Sequence, residues 1–368
     1  MHIGIHTHFL QPGRIGGSET YTRSLIAALG RLDHQNHYHL FTTSQNQSLF
    51  HALPPNFHTT FVNRFGKSIR DLPNCATIKY DLIHFPGTTI QPLSLPVPTV
   101  ITIHDLQHLY WPGFFSLRER LRRWRRDRPS IHKAAHIIAI SDFTRRTIIE
   151  KFPAAAGKVT TIPSGVSAEF FQTIPQPAQE PFRQKYNLPS TFALYPARPW
   201  PHKNHKRLLA AMNILREQHQ SDCRLVLCGF TPDEMPSDWQ PLLDSLEGDT
   251  VQLVSYIPKQ EMPALYQTAD LLIYPSLFEG FGLPILEAMA ARCPVICANA
   301  AALPETAGEA AVLIDPFDSA AIAQAMHALL TNPTQRADLI EKGTRRAGMF
   351  SWAKTAEATL DIYQKESR

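Results

Sequence analysis

Glu279-Gly-Phe-Gly-Leu-Pro-Ile-Leu-Glu287 stands two residues after the run Ala269-Asp-Leu-Leu-Ile-Tyr-Pro-Ser276. Leu271-Leu-Ile-Tyr274 is a short apolar run of the kind a parallel strand buried on both faces requires, and Pro275 stops it. Gly280 and Gly282 allow the backbone to turn sharply and to approach a ligand closely. Pro284 suits the first helical position, where its missing N–H has no partner to lose, so a helix is predicted from there, with Glu287 in its first turn. The free N–H groups beside Phe281, Gly282 and Leu283 form an anion site. Two carboxylates beside an anion site are expected to bind polyhydroxylated groups such as a sugar and a ribose. The competing reading is an ordinary acidic helix start, and only the rest of the chain decides between them.

At 368 residues the chain is too long for one ordinary core and suggests two domains of comparable size. Apolar content of 43% and charged content of 18% describe a soluble globular protein. No stretch approaches the roughly 20 apolar residues that span a bilayer. Met1-His-Ile-Gly-Ile5 enters a strand pattern without the features of a signal peptide, so a cytoplasmic location is expected. The cysteines, Cys75, Cys223, Cys228, Cys293 and Cys297, are odd in number and form no Cys-x-x-Cys pair. Reduced, structural thiols are expected, with neither a disulfide framework nor a zinc site.

Net charge is +4, but from Arg118 to Arg128 seven arginines stand against Glu119 and Asp127, a local +5, so everything else sums to about −1. Leu117, Leu121 and Trp124 fall at i, i+4 and i+7, which predicts one helical stripe turned inward and most of the arginines wetted. Such a face is either simply solvated or a contact for anionic lipid headgroups or an anionic acceptor. Nucleic acid is not an expected partner, because the chain shows no nucleic-acid-binding motif.

Strand and helix signals alternate through both halves. Met1 to His6 is a predicted strand, Gln11 to Ser18 a loop with Gly13, Gly16 and Gly17, and Glu19 to Leu32 a helix. Further strands are predicted at Tyr38 to Thr42, Leu82 to Phe85, Thr99 to His104, Ile137 to Ile140 and Val159 to Ile162. After an irregular, proline-bearing stretch the alternation restarts, with strands near Phe192, Arg224, Val251, Asp270 and Pro294, and helices from Asn204 and from Ser319. The pattern is α/β, with two doubly wound Rossmann-like domains. The boundaries read as 1–172 and 190–349, joined by a linker over 173–189. Phe350 to Tyr363 is a predicted amphipathic helix with Trp352, Ala356, Leu360 and Tyr363 on one stripe. Ligands of open α/β sheets bind outside the carboxyl ends of strands, so two such domains facing each other would enclose a cleft.

Arg198 and Lys203 lie in the loop between a predicted strand and helix, where two cations suit a diphosphate, Lys203 as a point charge and Arg198 as a fork. Solvated loop charges are the alternative, but the same domain independently offers a helix terminus for phosphate. His104 with His108, and His202 with His205, have metal-compatible spacing, yet neither pair has a third ligand nearby. No metal or other cofactor is expected. His6-Thr-His8 reads as strand-end packing.

The chain resembles the retaining GT-B glycosyltransferases of family 4 over nearly its whole length. The resemblance is carried by Gly16-Gly17-Ser-Glu before a helix, His104-Asp105 at a strand end and Ile137-Ile-Ala-Ile-Ser-Asp-Phe-Thr. Ile162-Pro-Ser-Gly-Val166, Arg198 with Lys203, and Pro275-Ser to Glu287 complete it. It implies a GT-B fold with an acceptor-binding first domain and a nucleotide-sugar-binding second domain. It also implies that the terminal helix, 350–368, packs back on the first. By the same resemblance Glu279 hydrogen-bonds the transferred sugar and His104 lies against it near the reacting carbon, while Glu287 holds the ribose and Tyr256 and Ile257 contact the base. Arg198 and Lys203 would hold the diphosphate, helped by N–H groups of Phe281, Gly282 and Leu283 and by Gly16 and Gly17. One departure stands out: where the family commonly has Ala-Cys-Gly before Pro-Val, this chain has Ala290-Ala-Arg292-Cys-Pro294, at the far end of the helix from the phosphates.

The expected activity is transfer of a hexosyl group from a nucleotide diphosphate sugar to a hydroxyl of a lipid-linked or cell-surface glycan. A GDP-mannose-type donor is favoured and UDP-glucose is next. The chain contains no Asp-x-Asp, so Arg198, Lys203 and the helix end would stabilise the leaving diphosphate without a metal. Family members retain configuration by attack on the leaving-group face, so Glu279 is expected to position and to stabilise charge and not to act as a nucleophile. The rival readings are a GT-B epimerase, a phosphorylase, or a nucleotide-sugar-binding protein without turnover. Peripheral membrane contact through Arg118 to Arg128 is a further expectation.

Overall fold

β1 (His2–His6), β2 (His37–Thr42), β3 (Phe57–Phe61), β4 (Leu82–Phe85), β5 (Thr99–Ile103), β6 (His136–Ala139) and β7 (Val159–Thr161) form one sheet. Its order is β3-β2-β1-β4-β5-β6-β7, and every neighbouring pair is parallel. The second half repeats the plan with β8 (Phe192–Pro196), β9 (Arg224–Cys228), β10 (Val251–Val254), β11 (Leu271–Tyr274), β12 (Val295–Ala298) and β13 (Ala311–Ile314). These run β10-β9-β8-β11-β12-β13, again all parallel. The computed structural model describes residues 1–11, 16–50, 53–62, 79–93, 95–246 and 248–367. Gly13 and Cys75, noted above, lie outside them.

Central strands are buried on both faces, as the apolar runs require: Leu271, Leu272 and Ile273 are fully buried, as are Ile101, Ile103 and Ile137 in the first sheet. Two edge strands escape the sequence reading. β3 has only Phe57 and Thr60 buried, and three of the four residues of β13 are not fully buried, so neither carries the strong signal of a strand covered on both sides.

The chain divides into Met1–Gly165 with Ser351–Arg368, and Val166–Phe350. The first boundary therefore falls at 165 and not at 172, and the expected linker over 173–189 is corrected. It belongs to the second unit and contains a helix, Gln176–Lys185. Pro175 caps that helix and Pro177 occupies its first turn, where no N–H is needed, so these prolines mark a helix start. Tertiary bonds hold the segment: Ile174 N–H donates to the Gln267 side chain at 2.8 Å and Arg183 Nη2 to the Thr268 carbonyl at 2.7 Å. Lys185 and Tyr186 both donate to Glu261, at 2.8 and 2.9 Å.

The terminal helix, Trp352–Glu366, packs on the Gly17–Leu32 helix of the first unit. It buries Trp352, Ala356, Thr359 and Tyr363, whereas Leu360 is only half-buried. The Tyr363 hydroxyl sits 2.6 Å from His84 Nδ1, and Thr355 donates to the Pro163 carbonyl at 2.7 Å. A Cβ on Gly165 would overlap the backbone of Ser351 and Trp352, so only glycine lets the two chain crossings lie side by side.

The arginine-rich helix, Leu117–Lys133, corrects another expectation. Leu117, Leu121 and Trp124 are 78%, 48% and 42% exposed. The stripe exists but faces outward, because the helix is anchored by Asp127, Ser130 and Ile131, with Ile90 N–H donating to the Ser130 hydroxyl at 2.9 Å.

Arg292 stands in the left-handed region, with φ 62°, just past the helix Leu283–Ala290. The backbone keeps the helix-closing shape for which glycine is preferred, and Cys293 N–H still returns to the Ala288 carbonyl at 2.9 Å. A side chain in that conformation costs about 1 kcal/mol. Arg292→Gly is therefore expected to stabilise the second unit by up to about 1 kcal/mol, read as a higher urea midpoint with unchanged slope.

Candidate active site

The winding of the second sheet reverses between β8 and β11, which are adjacent though far apart in sequence. Their outgoing loops diverge there and leave a crevice at the carboxyl ends of the strands. The β8 loop carries Arg198 and Lys203, and the β11 loop carries Glu279 to Gly282. Asn204, buried and left-handed with φ 62°, donates from Nδ2 to the Pro275 carbonyl at 3.0 Å and to Pro316 at 2.7 Å. Leu277 N–H donates to the His202 carbonyl at 2.7 Å. These bonds hold the two loops in one geometry. None of these three bonds is read from the sequence, although an asparagine directly after a cationic loop is the kind of residue that takes a left-handed turn.

Lys203 Nζ and Glu279 Oε1 are 2.5 Å apart, and both side chains are largely buried. The ammonium also donates to the Tyr274 hydroxyl at 2.9 Å and lies 5.2 Å from the centre of that ring. Tyr195 donates to the Lys203 carbonyl at 2.5 Å and lies 3.3 Å from the Ser276 hydroxyl. Burial works to raise the Glu279 carboxyl, but the charges of Lys203 and His202, with hydrogen bonds from Lys203 and Ser276, outweigh it and hold the group below its ordinary value. Glu279 is therefore an ionised carboxylate in a dry place. Sequence reasoning singled out Lys203 and Glu279 separately, but missed that they pair and missed Tyr195, Tyr274 and Ser276, whose hydroxyls complete the surroundings.

Gly282 caps the Leu283–Ala290 helix with φ 103°, and a Cβ there would lie 2.7 Å from Leu303 Cδ2, so glycine is required twice over. Pro284 is thus the second helical residue. Glu287 lies in the second turn, not in the first as expected, and the dipole effect that would explain an acidic first turn fades by that point. Its carboxyl is raised by burial and accepts a hydrogen bond from Tyr266 at 3.0 Å. Phe281 is buried, and its carbonyl accepts from Thr306 at 2.6 Å. Among the described residues the N–H groups of Phe281, Gly282 and Leu283 have no hydrogen-bond acceptor.

The remaining expected residues are dispersed. Arg198 donates to Glu234 at 2.6 Å. Tyr256, just beyond β10, is 66% exposed, while Ile257 beside it is buried. Gly16, Gly17 and His104 belong to the first unit. Gly16 caps the Gly17–Leu32 helix, whose start has no side-chain cap. His104 Nε2 lies 3.0 Å from the Pro86 carbonyl and therefore carries a proton, and Tyr21 meets the ring edge-on at 5.1 Å. Burial holds its pKa below the ordinary histidine value, so the ring is neutral at neutral pH.

His205 is buried and stacks on Trp239 with ring centres 4.5 Å apart, which makes it a core residue. His6 and His8 line a pocket of the first unit and are more than strand-end packing. Among the described residues no three His, Cys, Asp or Glu side chains are placed to hold a metal ion. Cys223, Cys228, Cys293 and Cys297 are free and buried, with burial pushing the Cys228 and Cys297 thiols up to about 12. No helix among the described residues is long and apolar enough to cross a membrane.

Residues 178–346 match the family described as glycosyl transferases group 1, and residues 15–170 match glycosyltransferase family 4. The O-antigen chain mannosyltransferase B of Escherichia coli is 32% identical over 267 residues, which is 72% of this chain and 70% of that protein. The chain is a glycosyltransferase of this family. The serotype-specific mannosyltransferase WbdA of Escherichia coli is 27% identical to the glycosyltransferase over 347 residues, which cover 89% of this chain but only 42% of WbdA. Among solved structures, sucrose-phosphate synthase from Thermosynechococcus elongatus superimposes with a TM-score of 0.77 at 22% identity, covering 99% and 98% of the two chains. Anabaena HepE in complex with UDP-glucose does so with a TM-score of 0.76 at 19% identity, covering 99% and 100%. These structural likenesses assign the GT-B fold.

With Lys203 removed, burial, the largest influence on the Glu279 carboxyl, is opposed only by His202 and the Ser276 hydrogen bond, and the pKa rises. Lys203→Met is expected to destabilise the glycosyltransferase by about 3 kcal/mol at pH 7, because it leaves a buried carboxylate uncompensated. The sign follows from linkage: wild type has the depressed carboxyl and loses stability as pH falls below the ordinary value of 4.5. The variant has a raised carboxyl and is relieved by protonation, so the difference should shrink on acidification. Urea unfolding at pH 7 and pH 4 measures both.

Proposed function

We propose that the protein is a retaining, metal-independent hexosyltransferase that takes its sugar from a nucleoside diphosphate donor, GDP-mannose first and UDP-glucose second. The observation that carries this reading is the Lys203–Glu279 pair at the β8/β11 crevice, beside the open N-terminus of the Leu283–Ala290 helix. Mannose and a glycan acceptor are supported by the names of the E. coli relatives, an O-antigen chain mannosyltransferase and a serotype-specific mannosyltransferase.

When the bond between the sugar's anomeric carbon and the phosphate oxygen breaks, negative charge collects on the diphosphate. Lys203 and the N–H groups of Phe281, Gly282 and Leu283 are placed to receive it, and Arg198 joins them on leaving Glu234. The acceptor hydroxyl forms its bond to the same face of the carbon and passes its proton to the departing phosphate oxygen, which preserves configuration. Glu279, already ionised, hydrogen-bonds the sugar's hydroxyls and stabilises the positive charge that develops on the ring. His104, neutral and with its proton committed to Pro86, offers Nδ1 as an acceptor to a sugar hydroxyl. Glu287 takes the ribose, and Tyr256 and Ile257 the base.

Glu279→Gln is expected to lower kcat at least 100-fold, the scale of losing one electrostatic contact in a dry site. Nucleoside diphosphate binding should stay within about threefold of wild type, because the variant keeps Lys203. Turnover across GDP-, UDP-, ADP- and dTDP-sugars, with EDTA present, tests donor and metal independence together. Unchanged turnover by the variant, or loss of rate in EDTA, would refute the corresponding part of the reading. An epimerase would release no glycosylated product, and a phosphorylase would require inorganic phosphate.

We further infer that the acceptor is lipid-linked and that the Leu117–Lys133 helix rests on the membrane carrying it. The exposed Leu117, Leu121 and Trp124, flanked by Arg118, Arg120, Arg125 and Arg128, have the composition of an interfacial helix on anionic lipid. A Leu117→Glu, Leu121→Glu double variant removes two apolar insertions worth roughly 1.5 kcal/mol or more each. Its partition onto phosphatidylglycerol vesicles should fall at least tenfold, and equal partition would refute the contact.

A further inference from the structure

The first unit has its own reversal of winding, between β1 and β4, and a pocket of about 480 Å³ opens at it. The volume is in the range of small-molecule sites and accommodates a hexose with a substituent. The other face of the Leu117–Lys133 helix supplies one wall through Arg122, Arg123 and Arg126. Arg122 and Arg123 share Glu119, at 3.6 and 3.0 Å. Among the described residues Arg126 makes no ion pair within 4.0 Å, so its guanidinium is available to a ligand.

The opposite wall is of a different kind. His108 is 5% exposed, lines the pocket, and has a buried Nδ1 without a hydrogen-bond partner among the described residues. Its Nε2 lies 3.6 Å from Asp127, which accepts from Thr89 at 3.3 Å. Asp105 is the second carboxylate on the pocket. Burial, then Arg126, holds His8 down to about 4, and burial, then Arg123, does the same to His108, so both rings are neutral at neutral pH. One wall thus offers fixed positive forks, and the other offers neutral imidazoles and carboxylates. Guanidinium forks match phosphate oxygens, and imidazole and carboxylate acceptors match sugar hydroxyls.

We propose that this pocket is the acceptor subsite and that it recognises a sugar bearing a phosphate, with the phosphate on Arg126, Arg123 and Arg122 and the sugar's hydroxyls toward His108, Asp127 and Asp105. The proposal rests on the transferase reading and adds to it the chemical class of the acceptor. Arg126 lies on the pocket with no ion pair among the described residues, and Arg122 and Arg123 line it beside their shared Glu119. A phosphate monoester offers such forks three free oxygens and up to two charges, and a phosphodiester two free oxygens on a tetrahedral centre and one charge. The phosphate belongs either to a soluble sugar phosphate or to the ester that joins a sugar to its lipid. The outward face of the same helix favours the lipid ester.

The test is calorimetric binding to the full chain, with GDP and UDP both saturating so that the diphosphate site of the second unit is filled. The probes are methyl mannoside, mannuronic acid, mannose 6-phosphate and the mannosyl phosphodiester of a short prenyl alcohol. At least one phosphate probe should bind tenfold or more tightly than methyl mannoside and mannuronic acid, and the tighter of the two phosphate probes identifies the source. Arg126→Ala and Arg123→Ala should weaken that binding at least tenfold, Arg126→Lys by less, and Arg31→Ala, on the surface of the same unit, not at all. Equal affinity for the neutral or carboxylate sugar overturns the proposal, as does phosphate binding indifferent to Arg126. Because binding is read without turnover, its failure leaves the transferase reading intact. Conversely, an enzyme that binds the phosphate probe yet transfers no sugar refutes the transferase reading alone.

Discussion

Where a parallel sheet reverses its winding, two neighbouring strands send their loops to opposite faces, and a crevice opens between them at the carboxyl ends of the strands. The β8/β11 reversal is that place in the second unit, and the site residues follow from it. Lys203 leaves one strand and Glu279 the other, and they meet only because β8 and β11 are adjacent. Glycine is required at 282 because the chain must turn there into a helix beneath Leu303. The same reversal in the first unit opens the pocket between β1 and β4. One topological rule, applied in each unit, accounts for both sites.

The Lys203–Glu279 pair gives the β8/β11 crevice its electrostatic character. Each ion in a dry crevice carries a desolvation cost of several kcal/mol, and each offsets the other's. In the reading proposed above, a pair held this way would receive an arriving diphosphate with the ammonium already in place and largely stripped of water. Tyr274 and Tyr195 fix the lysine from two sides, and Asn204 locks the loop that carries it. The arrangement keeps the charged groups of the crevice stationary.

Much of this was legible in the chain itself. The runs Leu271 to Tyr274 and Thr99 to Ile103 announce strands covered on both faces, and Gly282-Leu-Pro284 announces the turn into a helix. The misreadings share a cause. Leu117, Leu121 and Trp124 have the spacing of a buried stripe, but spacing defines a face without saying which neighbour meets it, and here the anchoring face is that of Asp127, Ser130 and Ile131. The prolines of 173–189 suggested a linker because their local preference is irregular, yet tertiary bonds to Gln267, Thr268 and Glu261 hold a helix there. β3 and β13 were passed over because an edge strand needs only one apolar side.

By itself the sequence determined the α/β class and the two doubly wound units, because periodicity and turn chemistry are local properties of the chain; that Lys203 and Glu279 form a pair came from the adjacency of β8 and β11. The family resemblance, carried by motifs along the whole length, supplied the expectation that Glu279 serves a sugar and Glu287 a ribose. Only the tertiary structure decided that Glu279 stays ionised, that Arg292 takes a conformation suited to glycine, and that the arginine helix shows its apolar stripe to solvent while Arg122, Arg123 and Arg126 line a pocket. The physical reason is common to all three. Ionisation, backbone strain and exposure depend on which atoms stand nearby, and those atoms come from segments far away in the chain.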